Sequence, residues 1–199
     1  MVRALCLLLL AGAVPARARP PVPPTLAHDD VGRTMAIVAR AASRSGQWQA
    51  AARLWRAITV ATPTDAAAWA GLGAALVRLD APGDAVAALG RAENLAPDQA
   101  GVALDRGRAE LALGHGPEAA AAFDSATRAN PGDPRGWTGL GIAHDLLGAH
   151  ASAASAYDRA LAIDPLNVAA RHNLQVSASM ALAASPIPER ATPSPGVLP

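Results

Sequence analysis

The stretch from 66 to 99 reads AAAWAGLGAALVRLDAPGDAVAALGRAENLAPDQ, and its pattern decides the fold. A tryptophan is followed by Leu-Gly, then by an alanine with a larger apolar residue four positions later, and a proline closes the pattern. The stretch from 134 to 167 carries the same pattern. Outward from these two stretches, one proline recurs at a constant interval: Pro63, Pro97, Pro131 and Pro165. The chain is therefore a repeat array, and its period of about 34 residues is typical of helical repeats.

Three further columns keep this register and predict how each unit packs. A small residue lets the first helix of a unit approach the second closely: Ala39, Gly73, Gly107 and Gly141. An alanine does the same from the second helix: Ala51, Ala85, Ala119 and Ala153. A larger residue four positions later lies on the same helical face and fills the space beside the contact: Trp55, Leu89, Phe123 and Tyr157.

Turn and cap signals mark the ends of the predicted helices. Glycine accepts the left-handed conformation at a helix C-terminus, and it ends the first helix of three units: Gly46, Gly114 and Gly148. In the second unit we expect Ala81-Pro82-Gly83 to take this place. Aspartate and asparagine are good N-caps, and they precede the next first helix at three places: Asp65, Asp133 and Asn167.

This pattern resembles the tetratricopeptide repeat, whose signature is Trp-x2-Leu-Gly, then Ala-x3-aromatic, then Pro. The second and fourth units carry the first part of the signature fully, at Trp69-Ala-Gly-Leu72-Gly73 and Trp137-Thr-Gly-Leu140-Gly141. The first and third units match less closely. The four predicted repeats are 32–65, 66–99, 100–133 and 134–167.

The resemblance implies an all-α fold, a right-handed superhelical α-solenoid of four helix-turn-helix units plus a C-terminal capping helix. We place this domain at 28–184 and its capping helix at 168–184, because a solenoid must cover its last apolar face. Residues 185–199 contain five prolines and are predicted to form a disordered tail.

The N-terminus has the composition of an export signal. Arg3 precedes an apolar run that ends at Val14. As a helix this run would span roughly 16 Å, which is too short for a hydrocarbon core of ~30 Å. A small-x-small site ends at Ala18, so we predict a signal peptide over 1–18, followed by a proline-rich linker over 19–27.

Composition excludes several functional classes. Of 199 residues, 51% are hydrophobic but only 3% are aromatic, which favours helices over sheets. A net charge of +1 argues against nucleic-acid binding. The only cysteine, Cys6, lies inside the apolar run and not just after it, so the sequence does not support lipid anchoring. We therefore expect a mature chain without a transmembrane segment that is soluble in the periplasm.

No residues in the sequence match a catalytic constellation. There is no glycine-rich phosphate loop, no paired-cysteine motif and no His-Glu-x-x-His. We accordingly expect no enzyme activity, no cofactor and no metal. His115 and His150 fall in turns between helices, and two interpretations stay open for them: solvated side chains, which we favour, or a weak metal site.

Two groups of residues have a structural and a functional interpretation. Arg106 and Glu110 replace apolar residues of the repeat, and His144 occupies the Glu110 position one unit later, so the three are predicted to form a buried polar cluster. We favour an ion pair of little net stability over a tuned hinge between repeats. The four tryptophans are interpreted as core residues rather than as a ligand-stacking cage, although Trp48 falls in the first inter-helix turn.

In tetratricopeptide domains the first helix of each unit lines a concave face that binds peptides or helices. Carried over by position, the predicted groove consists of Arg33, Arg40, Arg44, Ala70, Ala74, Val77, Arg78, Leu104, Arg108, Leu111, Thr138, Ile142, Asp145, His172 and Val176. Guanidinium groups pair with carboxylates, so this groove suits an apolar segment that carries an acidic group. The alternative is that the arginines are a solvated face. The lysine and asparagine clamp of chaperone-binding members is not reproduced.

These features predict a non-catalytic scaffold that docks other envelope proteins or peptides in the periplasm of a Gram-negative bacterium. The chain also resembles the exported repeat proteins of tight-adherence (Flp) pilus assembly, the TadD family. That resemblance rests on the signal peptide, the four repeats and the cap residues Asn173-Leu174, Ser177 and Ala181-Leu182-Ala183. The alternative is an accessory or regulatory subunit of another envelope complex, in cytochrome c maturation, outer-membrane assembly or peptidoglycan synthesis.

Overall fold

Nine α-helices and no strand make up residues 28–184, the part of the chain that the computed structural model describes. The helices are α1 His28–Arg44, α2 Trp48–Ala61, α3 Ala66–Arg78, α4 Pro82–Leu95, α5 Ala100–Ala112, α6 Gly116–Ala129, α7 Pro134–Leu146, α8 His150–Ile163 and α9 Val168–Ala184. The predicted all-α class is confirmed. The predicted signal peptide, linker and tail lie outside the described residues. Between residues 28 and 184, no helix is long and apolar enough to cross a membrane.

The helices pack in chain order. Each odd-numbered helix from α1 to α7 packs on the helix that follows it, and each of these pairs packs on the next helix along the chain. The last helix, α9, packs on α8 and α7, where the first helix of a fifth unit would lie. The arrangement is the predicted α-solenoid of four helix-turn-helix units, with α9 in the capping position.

The turns inside the units use one left-handed residue each. Gly46, Gly114 and Gly148 have φ angles of 74°, 75° and 71°, as predicted for glycine after a helix C-terminus. The prediction for the second unit is wrong in detail, because Asp80 takes this conformation at a φ of 56°. Pro82 instead begins α4, where the missing backbone N–H has no helical partner to lose.

The three predicted N-caps are confirmed. The carboxylate of Asp65 accepts a hydrogen bond from the backbone N–H of Ala68 at 3.1 Å. Asp133 accepts from the N–H of Arg135 at 3.0 Å, and the side-chain oxygen of Asn167 accepts from the N–H of Ala170 at 3.0 Å. Each cap satisfies an N–H group that the first turn of a helix leaves without an intrahelical partner.

Close helix contacts inside each unit depend on the small residue of the first helix. A Cβ added to Gly141 would lie 2.4 Å from Cε1 of Tyr157, and one added to Gly73 would lie 2.4 Å from Cγ of Leu89. Both large side chains are fully buried. The predicted pairing of a small residue with a large one across the two helices is therefore confirmed.

The two signature tryptophans link neighbouring units. The indole N–H of Trp69 donates to the carbonyl oxygen of Pro63 at 2.8 Å, and that of Trp137 donates to Pro131 at 2.9 Å. Both rings are half-buried and pack against the core. The tryptophan and proline columns recur together because each tryptophan is bonded to the proline that closes the preceding unit.

The first helices of the units lie on the inner side of the array. Consecutive first helices contact one another from α1 through α3, α5 and α7 to α9. Within the described residues, the second helices α2, α4, α6 and α8 make no such contacts with one another. Because the spacing is closer on one side, the array curves, and the first helices line its concave side.

Candidate functional site

All the predicted groove residues lie on α1, α3, α5, α7 or α9, the helices of the concave side. The exposed members are Arg33, Arg40, Arg44, Arg78, Arg108, Ile142, His172 and Val176. The half-buried members are Ala70, Ala74, Val77, Leu111 and Thr138. Two further members, Leu104 and Asp145, are already engaged inside the protein.

Leu104 is a correction to the predicted groove. Its side chain is buried in a cluster with Ala103, Phe123 and Ala126. The neighbouring side chains on α5 and α6 are mostly alanines, so a leucine at this position turns inward and fills the space that they leave. It has no surface to offer a partner.

Asp145 is a second correction, because its carboxylate is bound by three side chains from two other helices. The hydroxyl of Ser177 on α9 donates to it at 2.7 Å, and the hydroxyl of Tyr157 donates at 2.8 Å. The Nδ1 atom of His150 lies 2.9 Å from the other oxygen. Ser177 and Tyr157 are fully buried, so this carboxylate joins α7 to α8 and to the capping helix.

The environment of Asp145 shifts the pKa values of two groups. Partial burial acts to raise the pKa of Asp145, but the hydrogen bonds from Ser177, His150 and Tyr157 outweigh it and hold that pKa below its ordinary value of 3.8. Burial, followed by the bond to Asp145, raises the pKa of the Tyr157 hydroxyl. The network therefore holds a charged carboxylate against a neutral phenol at neutral pH.

Unpaired arginines distinguish the N-terminal end of the concave side. Arg33, Arg40 and Arg44 lie on α1 and Arg78 lies on α3, and no acidic residue lies between Asp30 and Asp65. None of these four arginines forms an ion pair among the side chains described from 31 to 183. In the third and fourth units, by contrast, four arginines pair with a carboxylate: Arg106, Arg108, Arg128 and Arg135.

A cleft accompanies these arginines. It has a volume of about 870 Å³ and lies between α1, the end of α2 and the Asp65 cap of α3. Arg33 and Arg40 line it together with the apolar side chains of Ile37 and Ile58. This cleft therefore brings two predicted groove arginines together with apolar side chains.

Two tryptophans orient two of the groove arginines. The guanidinium carbon of Arg40 lies 5.9 Å from the ring centre of Trp55, and that of Arg78 lies 5.1 Å from the ring centre of Trp48. Stacking uses the face of a guanidinium and leaves its N–H groups free to donate in the plane. Trp48, the first residue of α2, therefore has a role that sequence reasoning missed.

Sequence reasoning also missed two exposed apolar residues on the concave helices, Leu146 on α7 and Met180 on α9. They lie one repeat period apart and hence at equivalent repeat positions. The same position holds Arg44 and Arg78 in the first two units. A position-by-position comparison of the sequences of α1, α3, α5, α7 and α9 would have identified them.

The predicted polar cluster is confirmed in part. The Arg106 guanidinium lies 3.8 Å from the carboxylate of Glu110, and Glu110 is buried. The third member is wrong: the histidine against Glu110 is His115, at 2.9 Å, and not His144. Arg106 also binds Glu93 of α4, at 2.5 Å. His115 takes this place because it lies at the start of α6, three residues after the end of α5, and its side chain makes no capping hydrogen bond there.

The two histidines predicted to lie in turns are each bound to an acid five residues earlier, His115 to Glu110 and His150 to Asp145. Neither is simply solvated. His150 is not in a turn but is the first residue of α8. Among the described residues, no group of three or more His, Cys, Asp or Glu side chains is arranged to hold a metal ion.

Comparison with known proteins agrees with this geometry. A crystal structure of MamA has a TM-score of 0.71 and 20% identity, covering 77% of this chain and 84% of that one. MamA from Desulfovibrio magneticus RS-1 has a TM-score of 0.66 and 18% identity, covering 77% and 93%. The first TPR of Spaghetti (RPAP3), bound to the HSP90 peptide SRMEEVD, has a TM-score of 0.57 and 21% identity, covering 60% and 94%. These similarities concern the fold.

No curated protein matches the sequence. The sequence does match the family described as Tetratricopeptide repeat, over residues 39–100 and 104–168. These two matched segments together span more than half of the chain and include the end of α1, most of α5 and all of α2, α3, α4, α6, α7 and α8. The chain belongs to the tetratricopeptide repeat family.

Proposed function

We propose that this chain is an exported, non-catalytic scaffold of the bacterial cell envelope that binds acidic segments of partner proteins in its concave groove. The observation that carries the proposal is the set of unpaired arginines at the N-terminal end of the concave side. A guanidinium without an internal carboxylate partner offers paired N–H donors to a carboxylate of another molecule.

Two further observations support this function. The first is the family itself, whose fold is known for protein-interaction scaffolds. The second is that a protein of the same fold, RPAP3, holds the peptide SRMEEVD, which contains three acidic residues. The cleft beside Arg33 and Arg40 offers both charge and apolar surface to a segment of that kind.

A charge reversal tests the groove. The variant carries Arg40→Glu with Arg78→Glu, and the matched control carries Arg91→Glu with Arg159→Glu, two exposed arginines on the second helices α4 and α8. Both variants change the net charge equally. We expect the groove variant to lose the partners that the wild-type protein captures from a periplasmic extract, and the control to keep them.

Capture of the same partners by both variants would refute the groove. Far-UV circular dichroism and thermal melting of each variant show whether it is folded, which matters because Arg40 stacks on a core tryptophan.

Export rests on the signal-peptide pattern over 1–18. We expect the mature protein, isolated from the periplasmic fraction, to begin at Arg19 when its N-terminus is sequenced. Full-length protein found in the cytosol would overturn this part of the proposal and leave the groove untouched.

The proposed pathway is tight-adherence pilus assembly, supported by the cap residues Asn173-Leu174 and Ser177. The alternative is an accessory subunit of another envelope complex. Deletion of the gene, followed by electron microscopy of surface pili and adherence assays, distinguishes the two. Loss of pili with an intact envelope supports the first, whereas envelope defects with normal pili support the second.

A further inference from the structure

We infer that the concave groove is bipartite: its C-terminal half holds a separate apolar subsite that binds the apolar end of the same acidic segment. The inference rests on the proposed function and adds to it the chemistry and the length of the bound segment. The arginines select one end of that segment, and a patch on α7 and α9 selects the other.

The apolar subsite consists of four side chains on two adjacent helices. Ile142 and Leu146 of α7 are 37% and 51% exposed, and Val176 and Met180 of α9 are 43% and 49% exposed. Within each pair the residues are four apart, so they share one helical face. The pairs lie one repeat period apart and α7 contacts α9, so the four form one patch. Isolated exposed apolar residues are ordinary, but neighbouring ones that form a larger patch mark an interaction site.

The patch occupies the repeat positions that hold arginine at the other end. The position of Ile142 is that of Arg40 three units earlier, and the position of Leu146 is that of Arg78 two units earlier. On α1 and α3 these two columns hold three arginines and Ala74, whereas on α7 and α9 all four of their residues are apolar.

The helix between the two halves, α5, is neutral at these positions. Ala112 is small, and the guanidinium of Arg108 is paired with Asp105 at 3.0 Å. The middle of the groove therefore attracts neither end strongly, and selectivity lies at the two ends.

The spacing of the helices fixes the length of the bound segment. The centre of the arginine half lies between α1 and α3, and the centre of the apolar half lies between α7 and α9, three first-helix steps away. At about 8–10 Å per step, the two subsites are separated by roughly 24–30 Å. An extended chain rising ~3.3 Å per residue covers this distance in about 7–9 residues. The occupant is therefore one peptide with acidic residues at one end and aliphatic residues about eight positions away.

Peptides with a rigid spacer test this separation. Each fluorescein-labelled probe joins a block of glutamates to a block of leucines through a polyproline spacer, which rises ~3.1 Å per residue. Spacers of about two, eight and sixteen prolines place the blocks roughly 6, 25 and 50 Å apart. Both orders of the blocks are made, along with probes carrying one block only.

In fluorescence anisotropy, we expect the probe with about eight prolines to bind at least about tenfold more tightly than the shorter, longer and single-block probes, because both subsites are then engaged at once. The variant with Ile142→Ser and Val176→Ser should lose this gain. A control with Leu95→Ser and Ile163→Ser, exposed apolar residues of α4 and α8, should keep it.

Equal affinity at all spacer lengths, or an equal loss in both serine variants, would overturn the bipartite groove. If the glutamate block still bound in an arginine-dependent manner, the proposed function would survive that result. If no acidic probe bound, the proposed function would fail as well. A second copy of this chain is the other molecule that could cover the patch, and sedimentation equilibrium of the protein alone tests for it. A dimer that the Ile142 and Val176 substitutions abolish would identify the patch as a self-interface and refute the inference.

Discussion

Replacing Gly139 with alanine adds one methyl group against the buried ring of Phe123. The burial of that ring determines how far the free energy of unfolding falls. The added Cβ would lie 2.3 Å from Cε1 and 2.5 Å from Cζ of Phe123. The ring is 1% exposed. The same edge of the ring also lies against Gly107, where an added Cβ would come within 2.8 Å. Phe123 thus packs closely on glycines of two successive first helices.

The magnitude follows from two opposed effects. Overpacking a well-packed core costs about 1–3 kcal/mol, and the 2.3 Å approach to a buried ring places this site near the upper end. Alanine in place of glycine inside a helix returns about 1 kcal/mol. We therefore expect Gly139→Ala to lower the free energy of unfolding by about 2 kcal/mol. For a chain of this size that corresponds to a fall in Tm of roughly 4–8 °C.

Urea unfolding followed by circular dichroism measures the effect, with Gly90→Ala as the matched control. Gly90 lies inside α4 and no other side chain lies within 4 Å of an added Cβ, so that variant should be more stable than the wild type by about 1 kcal/mol. Adding Phe123→Leu to Gly139→Ala should cost less than the sum of the single changes, because the smaller side chain makes room. A Gly139→Ala variant as stable as the wild type, or strictly additive effects, would refute the reasoning.

Three further predictions concern the polar contacts. Replacing Arg106 and Glu110 together with leucine should leave the free energy of unfolding unchanged or raise it, since a buried ion pair adds little net stability; a clear fall in Tm would contradict this. A carboxyl group whose pKa is lower in the folded than in the unfolded state binds fewer protons when the protein is folded. The contribution of Asp145 to the free energy of unfolding is therefore complete above pH 3.8 and is lost as the pH falls through the pKa of the folded state. Thermal melts should show this loss in the wild type, and Asp145→Asn, already less stable at neutral pH, should lack it. Trp48→Ala should weaken the binding of an acidic peptide about two- to fivefold in fluorescence anisotropy, because Arg78 loses a stacking contact of about 0.5–1 kcal/mol. Trp48→Phe should retain most of the affinity. Equal binding by the wild type and both variants would contradict the role of Trp48.

The sequence alone predicted the parts of this protein that depend on local spacing. The repeat period, the pairing of Gly141 with Tyr157 and the cap at Asp133 all follow from residues that are close in the chain or in a fixed register. Helix ends and contacts inside one unit are repeated four times, so each column of the sequence reports the same contact several times.

The features that the sequence could not predict depend on contacts between side chains of different units. Ser177 binds Asp145 from 32 positions along the chain, and Trp48 meets Arg78 from the neighbouring unit. Leu104 turns inward although its repeat position is exposed or half-buried in other units. The sequence therefore determined the solenoid, because backbone packing follows the repeat. Only the tertiary structure decided which charges stay unpaired on the concave side, because each polar group takes whichever partner the adjacent helices bring within reach.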